Sequence, residues 1–93
     1  MNKLEIGMHV RKIIQNCLQI NSVEIEDDEN LVEKFSINSI DAIGIFLMIE
    51  DVFKIQIEDD DLGVELIESI ESIIKYIMNK QNGDADEIIN SNI

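Results

Sequence analysis

Proline and tryptophan are absent from this 93-residue chain, and cysteine and histidine occur once each. With no proline and only four glycines, it lacks the turn residues of a hairpin-rich β fold, which favours helices. A single cysteine, Cys17, excludes an internal disulfide and with it a secreted disulfide scaffold. Its helical neighbours are apolar, so it reads as a buried structural thiol. His9 has no second His or Cys at ligand spacing, so no metal site is expected there. Only Phe35, Phe46, Phe53 and Tyr76 are aromatic, which leaves the core to Ile, Leu, Val and Met. Cations are scarce too: seven against twenty acidic residues, a formal net charge of −13. Such a field repels nucleic acid and anionic membrane surfaces and steers association towards basic patches on proteins. No apolar run is long enough to span a membrane, and the N-terminus, Met1 to Gly7, contains charges and no long apolar run, so neither a membrane span nor a signal peptide is expected. A cytoplasmic protein is the expectation.

A chain of this size forms one domain with a modest core and has no room for a deep catalytic cleft as well as a scaffold. Over residues 3–20, Ile6, Val10, Ile13, Ile14, Cys17 and Leu18 recur at helical spacing, with Arg11, Lys12, Gln15 and Asn16 on the wet face. From Asn21 to about Asn38 the periodicity breaks. This segment contains the charge run Glu24-Ile-Glu-Asp-Asp-Glu29 and reads as a long loop pinned by Leu31 and Phe35. It lacks the ligand pattern of an EF-hand. Residues 39–53 read as the second long helix, with Ile40, Ile43, Phe46, Ile49 or Glu50, and Phe53 stepping by three and four. Apolar residues outnumber what one buried face can hold. Ile43 and Leu47 lie about 40° apart beside Glu50 and Asp51, so the excess is either a docking stripe or a broad core face.

A short helix is expected over Asp59–Gly63, where aspartates favour a helix N-terminus. The last clear helix is expected from about Ser69, its cap, to Lys80, with Ile70, Ile73, Ile74, Ile77 and Met78 on one face. The predicted organisation is a helical domain over residues 1–80 and a flexible tail over 81–93. The predicted fold is all-α: a small antiparallel four-helix bundle of three long helices and one short.

Ser39 stands at the mouth of the second long helix, where a serine either caps the helix or presents its hydroxyl beside unpaired backbone N–H groups. The residues after it carry a resemblance. Asn38-Ser39-Ile40-Asp41, then Ile49-Glu-Asp-Val-Phe53-Lys-Ile-Gln-Ile57-Glu-Asp-Asp, then Ile70-Glu-Ser-Ile-Ile-Lys-Tyr76-Ile77, resemble the ordered pattern of an acyl carrier protein over roughly residues 31–78. The family usually has Asp before the serine, where this chain has Asn38, and Gly three residues before it, where this chain has Ser36. Gly44 replaces a common exposed Glu, and the stretch from Asp61 to Ile70 is slightly longer than usual.

The resemblance implies an acyl-carrier-like bundle that is a carrier and not an enzyme, with no catalytic residues of its own. Ser39 would be the attachment point for 4′-phosphopantetheine, its hydroxyl attacking the pyrophosphate of coenzyme A on a separate phosphopantetheinyl transferase. The arm would hold acyl intermediates as thioesters and shuttle them between enzymes of fatty-acid or polyketide-type biosynthesis. Ile43 and Leu47 would fill shallow pockets on acyl-transferring or synthase partners, while Asp41, Glu50 and Asp51 meet basic residues there. The chain is expected to act as a monomer. Two other readings stay open from the residues: an aminoacyl or peptidyl carrier of a nonribosomal or cell-wall pathway, and an unmodified acidic helical adaptor.

Overall fold

The computed structural model describes residues 2–20 and 24–91, with side chains as far as Gln81. Four α-helices and one 3₁₀ turn follow in order: α1 (Lys3–Leu18), α2 (Leu31–Phe35), α3 (Ser39–Phe53), the turn Asp59–Asp61, and α4 (Ile70–Ser91). No strand occurs among the described residues. Three long helices and one short one make the all-α bundle that the apolar periodicity predicts.

Each long helix starts for a local reason. Asn2 opens α1 with a capping box: its side chain accepts from the Glu5 N–H at 2.9 Å, and the Glu5 carboxylate reaches back to the Asn2 N–H. Ser69 caps α4, its Oγ accepting from the Ser72 N–H at 3.1 Å, as the sequence suggests. The ends are unusual. Gln19, Ser36 and Lys54 close α1, α2 and α3 in left-handed conformation at φ 55, 51 and 55°, a role that normally falls to glycine.

The core is aliphatic, as the shortage of aromatics requires. Ile6, Val10, Ile13 and Ile14 form the buried stripe of α1, which packs against both α3 and α4. Ile45, Phe46, Ile49 and Phe53 come from α3, and Ile70, Ile73, Ile74 and Ile77 from α4. Each such side chain contributes roughly 1.5–3 kcal/mol by leaving water. Cys17, Leu18 and Met78 pack at the margin of this core, half-buried.

The structure departs from the sequence expectation in several places. The short helix is α2, inside the segment expected as a loop, and not Asp59–Gly63, which forms only a single 3₁₀ turn. Three consecutive aspartates lack the apolar face that would hold a longer helix against the core, and none of them is buried. Asn30 starts α2 by accepting from the Glu33 N–H, and Leu31, fully buried, anchors it. On α3 the broad core face does not form, because Ile40, Ile43 and Leu47 are exposed while Ile45 takes the buried position. The backbone of α4 is helical from Ile70 to Ser91.

Candidate functional site

The N-terminus of α3 settles which residue caps it. Asn38 is the N-cap: its Oδ1 accepts from the Asp41 N–H at 2.8 Å, and Asp41 closes the box towards the Asn38 N–H. The Asn38 carbonyl accepts from the Ala42 N–H at 2.9 Å. Ser39 is therefore the first helical residue, exposed to solvent, with the cap already supplied by its neighbour. Of the N–H groups in this first turn, those of Asp41 and Ala42 are engaged, which leaves Ser39 and Ile40 without an intrahelical acceptor. An anionic group esterified to Ser39 would sit beside these donors and the positive end of the helix dipole.

Ser39 opens onto a groove of about 350 Å³. One wall is α2 and its exit, Val32 and Ile37; a second is α3, through Ala42, Ile43 and Phe46; the third is the segment Leu62, Gly63, Val64 and Ile67. Asn38 and Ser39 at the mouth contribute the only polar side chains of this lining. The third wall is anchored ahead of Leu62, where the Tyr76 hydroxyl donates to Asp61 Oδ2 at 2.8 Å and Lys80 Nζ bonds Glu58 at 3.1 Å. Burial, together with this bond to Asp61, raises the Tyr76 phenol above its ordinary range.

The five expected docking residues have different surroundings. Ile43 and Leu47 are 57% and 60% exposed, and Ile40 and Met48 extend the apolar surface of α3. Asp51 is exposed, with Lys54 Nζ 3.8 Å away. Glu50 is half-buried, and its Oε2 accepts from the Ile57 N–H at 2.8 Å, fixing the chain after α3. Asp41 is committed to the cap. Asp51 thus stands as the carboxylate of the three without an internal structural bond. Cys17 lies near this end of the bundle, and burial, with a smaller contribution from the Asp41 charge, pushes its thiol above the ordinary range.

Sequence reasoning missed the groove wall. Leu62 and Val64 remain exposed beside the mouth while Leu66 and Ile67 are buried. The one available signal was four apolar residues among the six of Leu62–Ile67, in the stretch from Asp61 to Ile70 that is slightly longer than usual for the family it resembles.

Comparison with known proteins agrees with this geometry. The family described as "Phosphopantetheine attachment site" matches residues 9–77. The chain is 31% identical over 78 residues to an acyl carrier protein of Nitratidesulfovibrio vulgaris strain Hildenborough, covering 84% of this chain and all of the relative. It is 32% identical over the same length to that of strain Miyazaki F, with the same coverage. An acyl carrier protein of Phytoplasma mali is 31% identical over 72 residues, covering 77% of this chain and 83% of the relative.

Proposed function

We propose, from the premise that this chain belongs to the acyl carrier protein family, that Ser39 carries its prosthetic group and that the cargo is an acyl chain of fatty-acid type. Members of this family are carriers, not enzymes, and the group implied is covalent 4′-phosphopantetheine. That group supplies a thiol on a flexible arm, which raises the effective concentration of a thioester-bound cargo at a partner's active site. The chain's own residues fit it. Ser39 offers an uncommitted, exposed hydroxyl, Asn38 holds the helix start without competing for it, and the Ser39 and Ile40 N–H groups face any charge placed there. Asp41, the carboxylate of the capping turn, is engaged with the Asn38 N–H, so the Ser39 proton goes to a group on the transferase.

The observation that carries the reading is the pairing of an exposed first-turn serine with an apolar groove at its side. The same groove favours an alkyl cargo over an aminoacyl one. Apart from Asn38 and Ser39 at the mouth, its side chains offer no partner for a buried ammonium or for ketone oxygens, and a polar group left unpaired costs about 1–3 kcal/mol. Carrier function implies encounters with a transferase and with synthase enzymes. We assign Ile43 and Leu47 to shallow apolar pockets on those partners and Asp51 to their basic residues. Exposed charges of this kind speed encounter more than they tighten it, so binding should be weak and salt-sensitive, as suits a shuttle that must leave.

Incubation with coenzyme A and a promiscuous phosphopantetheinyl transferase, followed by intact mass, tests the assignment. One phosphopantetheine addition is expected for the wild type and for Ser36→Ala, and none for Ser39→Ala. Loss of labelling in the Ser36 variant with retention in the Ser39 variant would remove Ser39 from the mechanism. Intact mass of the protein from its own host then reads the cargo directly, and an aminoacyl adduct would overturn the alkyl assignment.

A further inference from the structure

The loop between α1 and α2 is tied to the rest of the bundle in an orderly way. The Leu31 N–H donates to the Glu68 carbonyl at 2.7 Å, and the Glu71 N–H donates to the Asp27 carbonyl at 3.0 Å. These two bonds join residues 27–31 to 68–71 as a two-rung clasp running in opposite chain directions. The residues next to one rung face the groove: Val32 follows Leu31 and Ile67 precedes Glu68, and both line it. The clasp therefore sets the distance between two of the three groove walls. A single cation supports it from α1. Arg11 Nε donates to the Ile25 carbonyl at 3.0 Å, and its Nη2 pairs with the Asp27 carboxylate. Gly7, one turn earlier, leaves room for this reach, because a Cβ there would stand 3.1 Å from Arg11 Nη1 and 3.3 Å from Ile74 Cδ1.

We propose that Arg11 is a positioning residue for the groove: by clamping Ile25 and Asp27 it holds the 27–31/68–71 clasp closed and so keeps Val32 and Ile67 at the spacing that shelters the cargo. The proposal rests on the carrier reading for its consequence but not for its geometry. An ion pair with a half-exposed aspartate, taken alone, adds little stability. Its effect here is local, because it removes freedom from a loop whose other end is already fixed by Leu31, fully buried. Opening the clasp would widen the groove without unfolding the core stripe of α1, α3 and α4.

The test is amide hydrogen exchange on the unmodified protein, comparing wild type with Arg11→Met, which keeps an apolar stem, and with Asp27→Asn. Exchange at the Leu31 and Glu71 amides should quicken about fivefold in both variants, the ratio expected for losing one hydrogen bond's net contribution. Exchange at Ile49, in the core of α3, should not change. Arg11→Lys should recover part of the protection, since it restores the charge opposite Asp27 but not the second donor. Unchanged exchange at Leu31 and Glu71, or a uniform rise that includes Ile49, overturns the proposal.

The loaded protein supplies the functional arm. Hydroxylamine should cleave an octanoyl thioester faster in Arg11→Met than in wild type, while an acetyl thioester, too short to use the groove, is cleaved equally fast in both. Equal acceleration of both thioesters overturns the groove role of Arg11. Failure to load Ser39 would instead sink the carrier reading, and the exchange measurement would still decide the clasp.

Discussion

Replacing Gly44 by alanine should stabilise this protein, and the size of the gain can be worked out from the structure. Gly44 is the sixth of fifteen residues of α3, where every residue must hold helical φ and ψ. Glycine loses more backbone freedom than alanine on entering a helix, a difference of about 1 kcal/mol. Against that stands only the space a methyl group would need, and a Cβ built at 44 meets no atom within 4 Å. The full propensity difference should therefore appear as stability. For a domain of this size, about 1 kcal/mol raises the melting temperature by roughly 4–8 °C. Circular dichroism melts, with urea titrations showing a higher midpoint at unchanged slope, measure it. Gly44→Glu should behave similarly, since glutamate is also a good helix former, and should add a carboxylate beside the Ile43–Leu47 stripe. That variant should be loaded faster at low salt by a transferase with a basic docking face, with the advantage vanishing as salt is raised. An unchanged or lowered melting temperature for Gly44→Ala would refute the reasoning, because it would mean that another segment approaches this backbone closely.

Three further outcomes follow from particular contacts. Ser36→Gly should stabilise by about 1 kcal/mol in thermal melts, because Ser36 holds φ 51° at the end of α2, where a side chain is strained and glycine is not. Glu50→Ala should cost about 1–3 kcal/mol in urea unfolding by leaving the Ile57 N–H unpaired, whereas Asp51→Ala should stay within about 0.5 kcal/mol yet slow partner association. Cys17 should alkylate with iodoacetamide more slowly than a free cysteine at neutral to mildly alkaline pH. Burial raises its thiol above the ordinary range, so less thiolate is present at a given pH, and in loaded protein the exposed arm thiol should react first.

Much of the scaffold was legible in the residues because it depends on short-range rules. The stripe Ile6-Val10-Ile13-Ile14 locates α1, the run from Ser39 to Phe53 locates α3 to the residue, and Ser69 marks where α4 begins. The five-residue helix α2 escaped because a single turn has no period to detect and lies next to the charge run that looked like open loop. The turn at Asp59–Asp61 was over-read for the opposite reason: its aspartates carry a helix-start signal, but none of the three is buried and Leu62 directly after them stays exposed.

At the site itself the division is finer. Composition, helical period and net charge were enough to specify an acidic helical domain with Ser39 at a helix mouth, since these act within a few residues or sum over the chain; the carrier role and the candidate attachment point came from the family resemblance of the ordered pattern around Ser39. Which of Asn38 and Ser39 caps α3, which α3 residues face outward, and whether a groove exists beside the serine were settled by packing. Those features depend on how α2, α3 and residues 62–67 approach one another, and that approach is governed by long-range contacts such as Leu31 to Glu68 and Tyr76 to Asp61. Two residues 37 positions apart along the chain leave no mark on each other in a linear reading, yet their backbone bond spaces the walls beside Ser39.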